Sequence, residues 1–568
     1  MSAIRRLPPE LARKIAAGEV IERPASVVKE LVENALDAGA GEIRVELLDG
    51  GKALVLVQDD GRGMDREDAT LAFERHATSK LAREEDLDRI ATLGFRGEAL
   101  ASIAAVARVA LRTSDAGGRP GTAVEVEAGE LKAVADAAFP RGTRVEVRDL
   151  FFNLPARRKF LRSAASELTA AAKLLTLVAL GHPAVRFHVV HGTRVILSAP
   201  AVAGLRERVF QIFGKDALDR LCDVACAEGG YRLGGLASKP PTGRPDRTRQ
   251  HFFVNGRPVQ DRTLQAALQQ AYRGLLERDA RPEAFLFLTV PYEDVDVNVH
   301  PAKSEVRFRD SQRVFGLVVR GLESSLRGGP RVKEIAPVSA AAPGPGRGTG
   351  PATAAPGFRV EEGRPAPLFD PAGPAPAFPA APRVLGQYLS AYIVAAGDEG
   401  VYVIDQHNAH ERILFDRFAE ARTRDRIPRT AALLPLLADL TPAQVVRLET
   451  GRAALEEAGF RIEEMGGRTV ALKEYPDLFG PEAAREAFLA ALDDMGGEDK
   501  GERRDRVLAT LACKSAVKAG EPLPREKMEF LVTELFGLED RALCPHGRPI
   551  MILMERGQVE KGLKRQPV

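Results

Sequence analysis

The chain is poor in cysteine, with only Cys222, Cys226, Cys513 and Cys544 among 568 residues. Four thiols are far too few for a disulfide scaffold, so apolar cores must hold the fold, and a reducing, cytoplasmic compartment is expected. The opening MSAIRRLPPE lacks the apolar core of a signal peptide. Long hydrophobic runs are also missing. The apolar stretch from Ala99 to Leu111 is broken by Arg108, well short of the roughly 18 residues a membrane span requires, so no membrane partner is expected. Neither sign of charge dominates: 81 Lys and Arg stand against 79 Asp and Glu, a net charge of +2. Nucleic-acid binding therefore has to be argued from local clusters.

What is present is an ordinary globular balance, 45% hydrophobic and 28% charged, in a chain too long for one core. From Ala336 to Pro382 the composition shifts to 12 Pro, 13 Ala and 7 Gly, which cannot build a packed interior. We read residues 331–382 as a disordered linker. A flexible chain of the 336–382 length reaches about 40 Å, and a Pro-stiffened one roughly 145 Å. The flanks read as α+β multidomain: a module at 1–204, a second at 205–330 and a third at 383–568. Two strands, 43–48 and 53–58, are joined through Asp49-Gly50-Gly51, a hairpin signal. A helix-like run covers 205–221, strands are expected near 251–255 and 285–290 with a helix between them, and a further helix over 441–459.

Pro24 and Ser26 open a helix with an apolar stripe of Val27, Val28, Leu31, Val32 and Ala35, ended by Gly39. Glu30, Asn34 and Asp37 fall on another stripe. Glu30 could deprotonate water while Asn34 holds Mg²⁺ through a neutral oxygen, although such a stripe is commonly just a solvated face. Asp59, Asp60, Gly61, Arg62 and Gly63 follow an apolar strand. That arrangement suits acceptance of an adenine amino group, although taken alone it reads first as a surface turn. Gly94 and Gly97 bracket a turn before a helical run, where backbone amides with Lys80 suit phosphate oxygens, or simply start a structural helix.

In combination, KELVENALDAGA, DDGRG, GFRGEALASI and Gly142-Thr143 resemble the Bergerat (GHKL) ATPase fold in order and spacing. The segments PPELARKIAAGEVIERPASVVKELVEN, RHATSK, DLFFNLPARRKFL and VDVNVHPAKSEVRF resemble MutL DNA mismatch-repair proteins specifically, over nearly all of residues 4–310. The resemblance implies a GHKL ATPase domain at 1–204, an S5-like transducer domain at 205–330 and a C-terminal dimerisation and endonuclease domain at 383–568. It implies Glu30 as general base, Asn34 on Mg²⁺ and Asp59 on adenine. Gly61, Gly63, Lys80 and Thr143 complete the ATP site. Gly94, Phe95, Arg96, Gly97, Glu98, Ala99 and Leu100 form its lid, and Lys303 reaches the γ-phosphate from the second domain.

Between Arg232 and Arg262 seven basic residues face two acidic ones. With His251, Phe252 and Phe253 alongside, Arg244, Arg247, Arg249 and Arg257 are candidates for nonspecific DNA phosphate contact, the alternative being an exposed basic loop. Arg157-Arg158-Lys159 is a second, weaker basic run. Cys222 and Cys226, with no histidine nearby, read as structural.

In the third module a strand runs into Asp405-Gln406-His407-Asn408-Ala409-His410-Glu411, with Cys513 and Cys544-Pro545-His546 far downstream. Thiols, imidazoles and a carboxylate suit zinc, although buried cysteines are commonly packing residues. These segments resemble the motifs of MutL proteins with intrinsic endonuclease activity. His407, Glu411, Cys513, Cys544 and His546 would be metal ligands, Asp405 the carboxylate needed for nicking, Zn²⁺ the organising ion and Mn²⁺ or Mg²⁺ the working one. Asn408, Asp416 and Leu563 depart from that pattern, where Ala, Glu and Phe are usual.

The resemblance further implies a homodimer, nonspecific DNA binding and a mismatch-recognition partner of the MutS type. A sliding-clamp partner would want Gln where Thr430 stands, with Leu433, Leu434 and Pro435 retained. The alternative is a matchmaker without nuclease activity, its zinc purely structural. A topoisomerase or chaperone sharing the ATPase fold is disfavoured by PARRKFL and VDVNVHPAK.

Overall fold

The computed structural model describes residues 17–18, 20–80, 97–115, 120–244, 247–276, 280–296, 306–327, 381–423, 427–495, 500–518 and 520–563. Gly94, Phe95, Arg96, Lys303 and nearly all of the linker expected at 331–382 lie outside them. Residue contacts divide the chain into two units, 1–327 with 414–516 and 328–413 with 517–568.

In the first unit, α1 (Pro24–Asp37) begins on the pre-organised φ of its N1 proline and buries Val27, Val28, Leu31, Val32 and Ala35. Strands β1 (Glu42–Leu48) and β2 (Leu54–Asp59) pair antiparallel through the turn Asp49–Gly51. Gly50 there has φ 67°, and a Cβ on it would lie 2.3 Å from the Ala164 carbonyl oxygen, so only glycine fits. The chain continues through α2 (Arg66–Leu71), α3 (Ala99–Val106), β3 (Arg108–Ser114), β4 (Gly121–Glu127), β5 (Glu130–Ala137) and β6 (Gly142–Arg148). It closes the module with α4 (Pro155–Phe160), α5 (Ala164–Gly181), β7 (Arg186–His191) and β8 (Arg194–Ala199). The eight strands order as β5-β4-β3-β6-β2-β1-β7-β8, with β1 and β7 the parallel pair. α5 is apolar and long enough to cross a membrane by composition, contrary to the absence of such a run read from the sequence. It serves here as a core helix, burying Leu168, Ala171, Ala172 and Leu175.

The second module starts with α6 (Leu205–Phe213) and α7 (Lys215–Asp219), and Leu221 already begins β9 (Leu221–Glu228). The single helix expected over 205–221 is therefore broken, at Gly214 with φ 80°. Strands β10 (Tyr231–Ser238), β11 (Gln250–Val254), β12 (Arg257–Val259) and β13 (Ala284–Thr289) order as β12-β11-β13-β10-β9. Helix α8 (Arg262–Ala271) lies between the parallel strands β11 and β13 in the chain, as a crossover requires. Cys222 Sγ contacts the Ala237 carbonyl oxygen at 3.3 Å and Cys226 packs on the module's own core, which fits their structural reading.

Arg208 of α6 is fully buried. Its guanidinium donates to the carbonyls of Ala199 at 3.0 Å, Pro183 at 2.6 Å and Val185 at 2.6 Å, and burial pushes its pKa down to about 10. The first unit also contains a lobe in which strand Arg429–Asp439 pairs with Thr469–Pro476, itself paired with Arg461–Gly466. Helix Pro481–Asp494 packs on that sheet, and helices Pro442–Glu457 and Lys500–Ser515 pack on this helix and on each other, the first of these two opened by a Thr441/Gln444 capping box.

The second unit is built on an antiparallel sheet ordered Arg383–Tyr388, Tyr392–Gly397, Gly400–Asp405, Met551–Glu555. Ile393, Ala395, Tyr402 and Ile404 face its core with Leu531 and Leu535 of helix Arg525–Gly537. On the opposite face the register aligns Val394, Val403 and Ile552 in one row and Ala396, Val401 and Met554 in the next.

Candidate functional site

The residues expected to bind nucleotide gather around the C-terminal end of α1. Lys80 Nζ donates to Asn34 Oδ1 at 2.8 Å and to Asp37 Oδ2 at 2.6 Å. Asp37 was visible in the sequence as the next member of the Glu30/Asn34 stripe, but carried no role there. At the end of β2, Asp59 Oδ1 accepts the Gly61 amide at 2.9 Å. Burial pushes the Asp59 carboxyl up to about 6, against the lowering effect of backbone bonds at Gly61 and Thr143. Thr143 lies opposite both Asp59 and Thr113 in the sheet, its hydroxyl 3.0 Å from that of Thr113. The two groups meet because the Arg62 amide donates to the Ala38 carbonyl at 3.1 Å. A Cβ on Gly61 would fall 2.9 Å from Ala38 Cβ, and one on Gly63 1.9 Å from the Ser114 carbonyl oxygen. Asp60 instead accepts the amides of Gly41 and Glu42 at 2.7 and 2.8 Å, a structural role.

Gly97, with φ 61°, precedes α3, and Glu98, its N-cap, lies 3.1 Å from His76 Nδ1. Ala99 and Leu100 form the first turn of α3. Glu30 sits half-buried on α1. A cavity of about 380 Å³ between the C-terminal end of α1 and the Asn255–Gly256 turn is lined by Asp37 and His182 but by none of the expected adenine residues.

The basic cluster does not form one solvent-facing patch. Arg249 pairs with the buried Glu283 at 2.8 Å, Arg257 is buried, and Arg244 pairs with Asp493 at 2.9 Å, leaving Arg247 exposed. Phe252 and Phe253 are core residues, and burial beside Arg249 pushes the His251 imidazole down to about 4, so it is neutral near pH 7. The reason is physical: Arg249, just before β11, reaches the buried Glu283, and Arg257, which opens the edge strand β12, is desolvated close to the charges of Glu33 and Asp37 on α1. In the other basic run, Arg157 donates to the carbonyls of Gly18 at 2.5 Å and Ile21 at 3.3 Å, anchoring the N-terminal segment.

In the second unit, ligand atoms of Glu411, Cys544 and His546 lie within 4.8 Å of one another. Glu411 and Cys544 are buried, and His546 Nδ1 contacts Glu411 Oε1. His407, one helical turn before Glu411, has Nε2 3.8 Å from Glu411 Oε2 and Nδ1 3.0 Å from the Val517 carbonyl oxygen. The Cys544 loop is closed by its own amide donating to the Arg548 carbonyl at 2.8 Å. Asp405 Oδ1 accepts the amides of His407 and Asn408, both at 2.9 Å, and so caps the helix Gln406–Thr423. Asn408, the departure from Ala, donates to the Pro549 carbonyl at 3.1 Å and ties that helix to the Cys544 loop. Gln406 is fully buried and donates to Ser390 and Lys518 carbonyls at 3.0 and 2.9 Å, a brace the sequence did not announce. Cys513 and Asp416 belong to segments of the first unit.

Residues 21–141 match the family described as histidine kinase-, DNA gyrase B-, and HSP90-like ATPase. Residues 209–327 match the DNA mismatch repair protein, C-terminal domain, and 385–523 the MutL C terminal dimerisation domain. The DNA mismatch repair protein MutL of Koribacter versatilis is 39% identical over 648 aligned positions, covering 100% of both chains. That of Anaeromyxobacter dehalogenans is 41% identical over 613, again covering 100% of both. The solved Aquifex aeolicus MutL ATPase domain complexed with ADP is 29% identical and covers 53% of this chain and 98% of that one, at a TM-score of 0.37 that is too low for comparing whole shapes. With full-length identity near 40% and all three family matches in order, the chain belongs to the MutL family of DNA mismatch-repair proteins, with an N-terminal GHKL ATPase domain and a C-terminal dimerisation domain.

Proposed function

We propose that this MutL chain is an ATP-gated homodimeric clamp whose second unit nicks DNA with the help of metal. The observation that supports the nuclease is the convergence of Glu411, Cys544 and His546, with His407 beside them. A buried thiol, an imidazole and a carboxylate form a donor set suited to Zn²⁺, while Mn²⁺ or Mg²⁺ would prefer carboxylate oxygen. When bound, such ions polarise a phosphodiester and lower the pKa of attacking water. Asp405, at the start of the same helix, is the proposed nicking carboxylate.

In the ATPase domain, Glu30 is the proposed base, Asn34 the Mg²⁺ holder and Asp59 the acceptor of the adenine amino group. Gly61, Gly63 and Thr143 shape the adenine side. Lys80, held at 2.8 Å from Asn34, supplies positive charge toward the phosphates. Gly94 to Leu100 act as the lid, and Lys303 reports the γ-phosphate from the second module. Nonspecific DNA contact, a MutS-type partner and a cytoplasmic setting belong to the same reading. So does a sliding-clamp partner, since Leu433, Leu434 and Pro435 protrude as an exposed bulge where the pairing of strand Arg429–Asp439 breaks between Ala431 and Leu436.

A matchmaker without nuclease activity is the second reading, favoured by one observation: Asp405 is occupied as a helix cap. Supercoiled plasmid with Mn²⁺ and ATP separates the two. Nicking by the wild type, with Cys544→Ser losing zinc and nicking together, is the expected result. Intact plasmid with the zinc-loaded wild type would leave the matchmaker.

A further inference from the structure

Within the first unit, the lobe lies directly on the ATPase domain. Helix Pro442–Glu457 packs on α5 and β8, and one apolar cluster runs from Leu175 and Ile196 into Val445 and Leu448. Around it the polar anchors are long-armed arginines, several of them partly exposed. Arg194 pairs with Glu449 at 3.1 Å, Arg485 with Asp216 at 2.9 Å, and Arg468 donates to the Ile212 carbonyl at 3.0 Å. At one edge Arg244, on the short bridge to Arg281, meets Asp493 at 2.9 Å, a carboxylate held in place by Gln444 at 3.0 Å. The exposed Arg247 is three residues away in the chain.

We infer that this lobe is a releasable cover on the ATPase and second modules, with Asp493 holding Arg244 as an internal anion where a nucleic-acid phosphate would otherwise bind. A carboxylate and a phosphate diester oxygen ask the same of a guanidinium: negative charge and hydrogen-bond acceptance in its plane. Both cannot take Arg244 fully. Duplex DNA and the docked lobe therefore oppose each other, and DNA binding opens the cover. The inference rests on the DNA-binding reading above, and the lobe's docking can be measured without DNA.

The test uses the full-length chain. Fluorescence anisotropy with a duplex of arbitrary sequence reads affinity across a salt series. Asp493→Asn, which ends the ion pair with Arg244 and a longer one with Arg447 at 3.6 Å, is expected to bind about two- to fivefold more tightly at low salt, the range that partly exposed ion pairs support. Glu449→Gln, which loosens the cover without touching Arg244, is expected to change affinity in the same direction. Separately, Arg194→Cys with Glu449→Cys should accept a short bismaleimide bridge, mapped by mass spectrometry against the natural cysteines, and saturating duplex should lower its yield. No bridge in the free protein, a yield indifferent to duplex, or unchanged affinity in Asp493→Asn each overturns the inference. Failure of the wild type and all variants to bind duplex, with the bridge still forming, also overturns it, and marks the DNA-binding reading as the part that failed.

Discussion

At the residue scale, the recognition role proposed for Asp59 comes with a cost. Its folded-state pKa, near 6, stands above the value of about 3.9 for an unperturbed Asp. The unfolded chain therefore loses this proton first as pH rises. The contribution of the protonated carboxyl to stability is present below about pH 4 and is lost as pH climbs through 6, on the order of 3 kcal/mol for a shift of two units. Nucleotide binding runs the other way, because an adenine amino group donates best to the ionised carboxylate. We expect ATP affinity, measured by calorimetry at matched ionic strength, to strengthen between pH 5 and 7.5 and the slope to flatten in Asp59→Asn. Equal slopes would remove Asp59 from adenine recognition. Glu30→Ala should separate from it cleanly, binding ATP at near wild-type affinity while turnover, followed by phosphate release, falls at least about 100-fold.

At the element scale, the helix Gln406–Thr423 depends on Asp405 for its first turn. Removing the cap by Asp405→Ala should cost about 1 kcal/mol in denaturant unfolding, whereas Asp405→Asn, which retains a capping oxygen, should cost only a few tenths. If the carboxylate also serves nicking, both variants lose nicking; Asp405→Asn nicking at wild-type rate would make it a cap alone. Elements such as α1 and the β1–β2 hairpin were legible because their signals are local: an N1 proline, a 3.6-residue stripe, a glycine turn. The run at 205–221 misled because its apolar spacing continues through Gly214, and only that residue's φ of 80° breaks it. The basic segment misled differently. A charge count gives the sign of Arg249 and Arg257 but not their direction, and Glu283, which draws Arg249 inward, is distant in sequence. The Glu411, Cys544 and His546 grouping could be named from sequence only through resemblance, since Cys544 lies 133 positions after Glu411 and spacing alone favours packing over ligation.

At the scale of the whole molecule, the homodimer has an apolar face ready for it in the second unit. Val394, Val403 and Ile552 lie side by side across three strands, with Ile552 67% exposed in the single chain. An unpaired charge buried there is strongly unfavourable, so Ile552→Asp should weaken dimerisation roughly tenfold or more. Sedimentation equilibrium reads this directly, and an undisturbed dimer would move the interface elsewhere. In the first unit, the three short bonds from Arg208 make the junction of the ATPase sheet and second module a fulcrum rather than a loose joint. Hydrogen bonds from a buried guanidinium contribute about 1.5–3 kcal/mol each, and breaking several at once far exceeds thermal energy. A stroke driven by nucleotide would then carry α6 along with the ATPase sheet, and the nearest glycine past those bonds at which the second module could turn is Gly214.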